Sequence, residues 1–129
     1  MPGSLERYFR ALQATIAAAS NVATSDLTFE IRSPSIGFAR GDIRFADGSL
    51  LHLRELLDVQ KTAPRLMYVY HCQRADGTII FRYDNTKHFS ILATFPHHKH
   101  DGDEEHVVAH AAPTLTDVLL EVEALLQAS

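Results

Sequence analysis

Two Asp-Gly dipeptides, Asp47-Gly48 and Asp76-Gly77, each sit between runs whose apolar residues recur at every second position. Asp-Gly supplies the positive φ angles of tight hairpins, so each pair is expected to fold one strand back on the next. Before the first pair, Leu27, Phe29 and Ile31 alternate with polar residues, and Pro34 ends the run. The next run, Ile36–Ala46, slips phase: Ile36 and Phe38 are even, whereas Ile43 and Phe45 are odd. A β-bulge at Gly41 is the expected remedy. Leu50–Leu57 reads as a third strand with Leu51, Leu53 and Leu57 on one face. Arg65–Arg74 and Thr78–Asp84 read as the fourth and fifth, joined at Asp76-Gly77.

The chain ends read differently. Leu5, Tyr8, Phe9, Leu12 and Ile16 recur at steps of three and four, which predicts an amphipathic helix over 4–20 with Ser4 as N-cap. Pro113-Thr114-Leu115-Thr116-Asp117 has the form of a capping box. It opens a second helix whose stripe is Leu115, Val118, Leu119, Val122, Leu125 and Leu126. Residues 85–112 carry no clear period and read as a long irregular segment. The expected fold is α+β: a five-stranded, mostly antiparallel sheet with an N-terminal and a C-terminal helix on one face. At 129 residues and 46% hydrophobic content the chain forms one domain with a core of its own.

Charge and cysteine narrow the function classes. The net charge of −4 gives no global attraction to nucleic acid, so such binding needs a local basic patch. Cys72 is the only cysteine, which excludes an internal disulfide and fits a reducing cytoplasm. Glu6, Arg7 and Arg10 interrupt the N-terminus, so no signal peptide is expected, and no apolar run is long enough for a membrane span.

Chemistry concentrates in two places. If Asp76-Gly77 is a two-residue turn, Val69 opposes Asp84 and His71 opposes Arg82, and His71, Arg82 and Asp84 share a face. That face is either an ordinary wet surface or a functional cluster. The second place is Phe95-Pro96-His97-His98-Lys99-His100, with three of the chain's eight histidines. In an extended strand His98 and His100 share one face, with His97 and Lys99 opposite. Three readings stay open. One is a phosphate or RNA site: one imidazole takes the 2′-hydroxyl proton, another protonates the leaving oxygen, and Arg82 or Lys99 steadies the phosphorane. Asn85 and His88 stand close by in sequence, and this route needs no cofactor. A second is Zn²⁺ or another divalent metal on His98 and His100, completed by His88, Asp101 or His106. The third is a set of structural or interface histidines. The run Asp101-Gly102-Asp103-Glu104-Glu105 reads as a solvated loop.

Phe81-Arg82-Tyr83-Asp84-Asn85 with His88, together with Thr94-Phe95-Pro96-His97-His98-Lys99-His100, resembles the TumE family of toxins from prokaryotic toxin–antitoxin modules. The resemblance extends to Asp47-Gly48-Ser49 before a Leu-x-Leu-Arg-Glu strand and to the closing Pro-Thr-Leu-x-Asp-Val-Leu helix, so it spans about Leu27 to Leu126. It implies a growth inhibitor held in check by a helix-turn-helix antitoxin. It also groups Arg82, Asp84, Asn85, His88, His97, His98, Lys99 and His100 as candidate site residues. From the residue types, His98, His100 and His97 are the catalytic candidates, with Asp84 orienting a histidine or Arg82. Arg82, Lys99, Asn85 and His88 are the phosphate-binding candidates. RNA and a second copy of the chain join the antitoxin as expected partners, without a membrane.

Overall fold

The structure is a computed structural model that describes residues 4–86, 95–103 and 105–128. Helix α1 spans Ser4–Ala18 and α2 spans Leu115–Ala128; between them run β1 (Val22–Ile31), β2 (Ile36–Phe45), β3 (Leu50–Asp58), β4 (Arg65–Gln73), β5 (Ile79–Asp84), β6 (His98–Asp101) and β7 (Val107–Ala109). The strands pair in chain order as one antiparallel meander. The α+β class and the flanking helices are as expected, but among the described residues the sheet has seven strands, not five. The two extra strands lie in the segment read as irregular. Lys, His and Asp are poor strand formers, and β6 gets its conformation from pairing with β5 rather than from its own propensity.

One face of the sheet carries the core. Ala39, Ile43 and Phe45 of β2, Leu51, Leu53 and Leu57 of β3, Tyr70 and Cys72 of β4, and Phe81 and Tyr83 of β5 are all buried. The stripes of both helices pack into the same cluster through Leu5, Phe9, Leu12, Ile16, Leu115, Val118, Leu119 and Val122. Leu125 drops out of the expected stripe and is exposed. The start of α2 holds the expected reciprocal cap: Asp117 N–H donates to Thr114 Oγ1 at 3.1 Å, and Thr114 N–H donates to Asp117 Oδ2 at 2.9 Å.

The expected bulge at Gly41 is absent, since β2 pairs without a register break against both β1 and β3 across that residue. The apparent phase slip arises because the inward face of β2 includes two glycines, Gly37 and Gly41, which hydrophobic patterning passes over. A Cβ on Gly37 would sit 2.9 Å from both Leu5 Cδ2 and Phe9 Cζ, so its bareness lets α1 seat on the sheet. Ile36 and Phe38 therefore point to the opposite face.

Both hairpin turns are one residue longer than expected. Phe45 N–H donates to Ser49 O, and Arg74 N–H donates to Thr78 O, leaving three-residue loops with Gly48 at φ 90° and Gly77 at φ 91°. In the second hairpin a bulge then restores the expected pairing. Gln73 pairs with Ile79 but Cys72 pairs with Phe81, so Ile80 is the extra residue. From there His71 faces Arg82 and Val69 faces Asp84.

Candidate active site

Alternation carries the site onto the sheet face away from the helices. In β5 the odd residues Phe81 and Tyr83 enter the core, so Arg82 and Asp84 project from the other side. β6 adds two more groups in register: His100 stands opposite Arg82, and His98 opposite Asp84. The i, i+2 spacing of His98 and His100 places their rings on one face, with centroids 5.1 Å apart in an edge-on contact.

Asp84 is the hub and is 2% exposed. Its Oδ1 accepts hydrogen bonds from Thr86 N–H at 3.1 Å and from Thr86 Oγ1 at 2.7 Å. Its Oδ2 accepts one from Arg82 Nε at 3.0 Å. His98 Nε2 lies 2.9 Å from Oδ1, and His100 Nε2 lies 4.0 Å from Oδ2. Burial acts to raise the carboxyl pKa, but the bonds from Thr86 and Arg82 and the charge of His98 outweigh it and hold the group below the usual carboxylate range. Asp84 is thus an anion at neutral pH.

His98 is held at both ring nitrogens. Nδ1 lies 3.0 Å from Pro96 O, and a carbonyl can only accept, so the proton sits on Nδ1. The other nitrogen faces the anionic Asp84 Oδ1 at 2.9 Å. His98 is 1% exposed, whereas His100 is 9% exposed. Arg82 uses Nε on Asp84 and keeps a half-buried guanidinium at the edge of the cluster.

The remaining candidates from sequence go elsewhere. Lys99 points to the helix side, where Nζ donates to Glu121 Oε2 at 2.8 Å and lies 4.9 Å from the Tyr83 ring. Burial lowers its pKa, but the hydrogen bonds to Glu121 and Tyr83 prevail and raise it. His97 also leaves the cluster: its Nδ1 lies 2.9 Å from Tyr68 Oη, and its ring stacks on Tyr68. Burial, Arg65 and His98 together lower its pKa. Asn85 is a strand clamp, accepting Tyr68 N–H at 3.0 Å and donating to Leu66 O at 3.1 Å. His88 lies outside the described residues.

The carboxylate expected to complete a metal set also changes. Asp101 is exposed on the strand position that alternates away from His98 and His100, and His106 turns its Nδ1 to Asp101 O. The acid beside the two histidines is Asp84, and one donor atom from each of Asp84, His98 and His100 falls within 4.8 Å of the others. That geometry suits a divalent cation, with the Arg82 guanidinium as a second positive charge on the same carboxylate.

Sequence reasoning missed one buried acid. Glu55 sits on the Leu51, Leu53 and Leu57 side of β3 and is 1% exposed. Tyr8 Oη donates to its Oε1 at 2.5 Å and Tyr70 Oη to its Oε2 at 2.6 Å, while Arg65 Nη1 donates to Tyr70 Oη at 2.8 Å. This network ties α1 to the sheet. Its signal in sequence was an acid in phase with three leucines.

The sequence model of a family described as "Toxin TumE" matches residues 11–126, nearly the whole chain. No curated protein and no solved structure matches it.

Proposed function

This chain belongs to the TumE toxin family, and we propose that it inhibits growth by cutting RNA at the Asp84–His98–His100 cluster. Its place as the toxin component of a toxin–antitoxin module follows from the family; the chemistry is inferred from the site. The observation that carries the reading is the arrangement of two buried imidazoles and one half-buried guanidinium around a single buried carboxylate on one sheet face.

That set of groups suits transesterification of an RNA phosphodiester. His100, the more exposed ring, accepts the 2′-hydroxyl proton. The 2′-oxygen attacks phosphorus, and the bond to the 5′-oxygen breaks. His98, which must enter the step protonated at both nitrogens, gives its Nε2 proton to that leaving oxygen, exchanging Asp84 for it as partner. The guanidinium of Arg82, anchored through Nε, turns its remaining N–H donors to the non-bridging oxygens. The products are a 2′,3′-cyclic phosphate and a 5′-hydroxyl, with no cofactor consumed. Asp84 orients the His98 ring through Nε2, while Pro96 O holds the proton on Nδ1. The helix-turn-helix character expected of the antitoxin belongs to this reading as well.

Growth of cells expressing the protein with and without its antitoxin tests the toxin role, and the purified protein tests the reaction. RNA fragments should end in cyclic phosphate and 5′-hydroxyl. His98→Ala and His100→Ala should each abolish both the fragments and the growth defect. A growth defect that survives both substitutions refutes the catalytic assignment. Toxicity without RNA fragments points instead to a protein that blocks its target by binding.

A further inference from the structure

The face that carries the cluster continues across the sheet as two cross-strand rows. One row runs Arg40, Arg54, Val69, Asp84, His98. The next runs Asp42, His52, His71, Arg82, His100. In the first row two arginines stand directly opposite one another on β2 and β3. Like charges in that position destabilise a sheet. Asp26 and Glu30 of β1 flank Arg40 diagonally, but among the described residues neither arginine forms an ion pair, and Arg54 Nε is shut from solvent without a hydrogen-bond partner. The nearest acid along β2, Asp42, is taken by His52 Nδ1 at 2.7 Å. A buried guanidinium nitrogen left bare beside a second arginine is the setting for an anion.

We propose that Arg40 and Arg54 form a second phosphate subsite, which binds an RNA strand beyond the bond being cut. Strands are spaced by about 4.8 Å, so Arg54 stands about 10 Å from the row position of Asp84. The buried side chain of Val69 fills the interval. Arg82 is anchored to Asp84 and cannot turn to meet Arg54 on a shared oxygen. The two cationic sites therefore hold different phosphates of one chain. The substrate is an oligonucleotide laid across β5, β4, β3 and β2, and a dinucleotide would leave the Arg40–Arg54 subsite empty. The direction of this path follows from charge: beyond β6 the two rows end at Ala109 and Val107, whose side chains offer a phosphate nothing.

This inference rests on the RNA reading of the cluster, and its test separates the two. A labelled single-stranded RNA dodecamer and a dinucleotide are titrated with full-length His98→Ala protein over a range of salt, and both are offered as substrates to protein with His98 intact. The dodecamer should bind more tightly. Arg54→Gln and Arg40→Gln should each lower the slope of log K against log salt by roughly 0.7, the value for one phosphate contact on a single strand. Arg54→Lys should keep that slope. Arg54→Gln should reduce cleavage of the dodecamer and leave the dinucleotide unaffected, while the thermal midpoint stays level or rises as the like-charge pair is relieved. A merely structural arginine would lower the midpoint and affect both substrates alike, which overturns the proposal. An unchanged salt slope in Arg54→Gln with cleavage intact refutes the subsite alone. Arg54-dependent binding with no cleavage by the intact protein refutes the catalytic reading and leaves the subsite standing. Binding of poly-glutamate but not RNA refutes both.

Discussion

Asp84→Asn is the sharpest probe of the cluster, because it removes one charge and changes almost no volume. The asparagine carbonyl can keep both hydrogen bonds from Thr86 that now reach Oδ1. Its amide then replaces Oδ2 and confronts Arg82 Nε, donor against donor, at a separation that is 3.0 Å in the native protein. A hydrogen bond to a charged group contributes about 1.5–3 kcal/mol, and leaving a half-buried guanidinium unsatisfied adds to the loss. The expected destabilisation is about 2–4 kcal/mol at pH 7. With a urea m-value of about 2 kcal/mol/M for a domain of this size, the midpoint should fall by about 1–2 M.

The pH dependence has a definite sign. The Asp84 carboxyl titrates lower in the folded protein than the unfolded reference near 3.9. Its contribution is therefore fully present above that reference and is lost as pH falls through the lower native value. Asparagine has no such limb. Urea denaturation followed by far-UV circular dichroism should show the two proteins well separated at pH 7 and converging below pH 4. A gap under about 0.5 kcal/mol at pH 7 would mean that the carboxylate carries little of the local energetics. A gap that persists undiminished at the acid end would show that shape, and not charge, is what asparagine disturbs.

Three further outcomes follow from the rest of the fold. Tyr8→Phe removes one of two hydroxyl donors to the buried Glu55 carboxylate and should cost about 1.5–3 kcal/mol in urea denaturation. Cys72 is buried in the core, and burial with the charges of Glu121 and Asp47 pushes its thiol up to about 12. A thiol reagent at pH 8 should leave the native protein unlabelled and react at the rate of unfolding. Thr114→Ala deletes one half of the reciprocal cap on α2 and should lower stability by about 1 kcal/mol, read from the denaturation midpoint.

The helices were legible because their period is local. Leu5, Phe9, Leu12 and Ile16 state the buried stripe of α1 without reference to anything else in the chain. The strands were legible only where side chains report the phase. In β2 the inward positions include Gly37 and Gly41, and a glycine has no side chain with which to declare a face. Hydrophobic patterning therefore inferred a bulge where the ladder is continuous. β6 was illegible for the opposite reason. His98, Lys99 and His100 have side chains in plenty, but what makes them a strand is a partner 14–18 positions earlier in the chain.

The second hairpin shows how a correct face can be reached through two compensating errors. A two-residue turn at Asp76-Gly77 would pair Ala75 with Thr78 and carry that register down the ladder. The actual loop is one residue longer, which alone would have turned Arg82 and Asp84 toward the helices. The bulge at Ile80 cancels the shift and returns both side chains to the face away from the helices. Bulges concentrate beside functional sites because they re-aim a side chain, and here one residue decides whether Asp84 meets His98 or is pressed into the core. Deleting Ile80 should accordingly do more than shorten a strand. It would drive Arg82 and Asp84 under α2 and bring Phe81 and Tyr83 out beside His98 and His100. Either the hairpin re-forms the bulge at Ile79 or the domain loses its core and its cluster together.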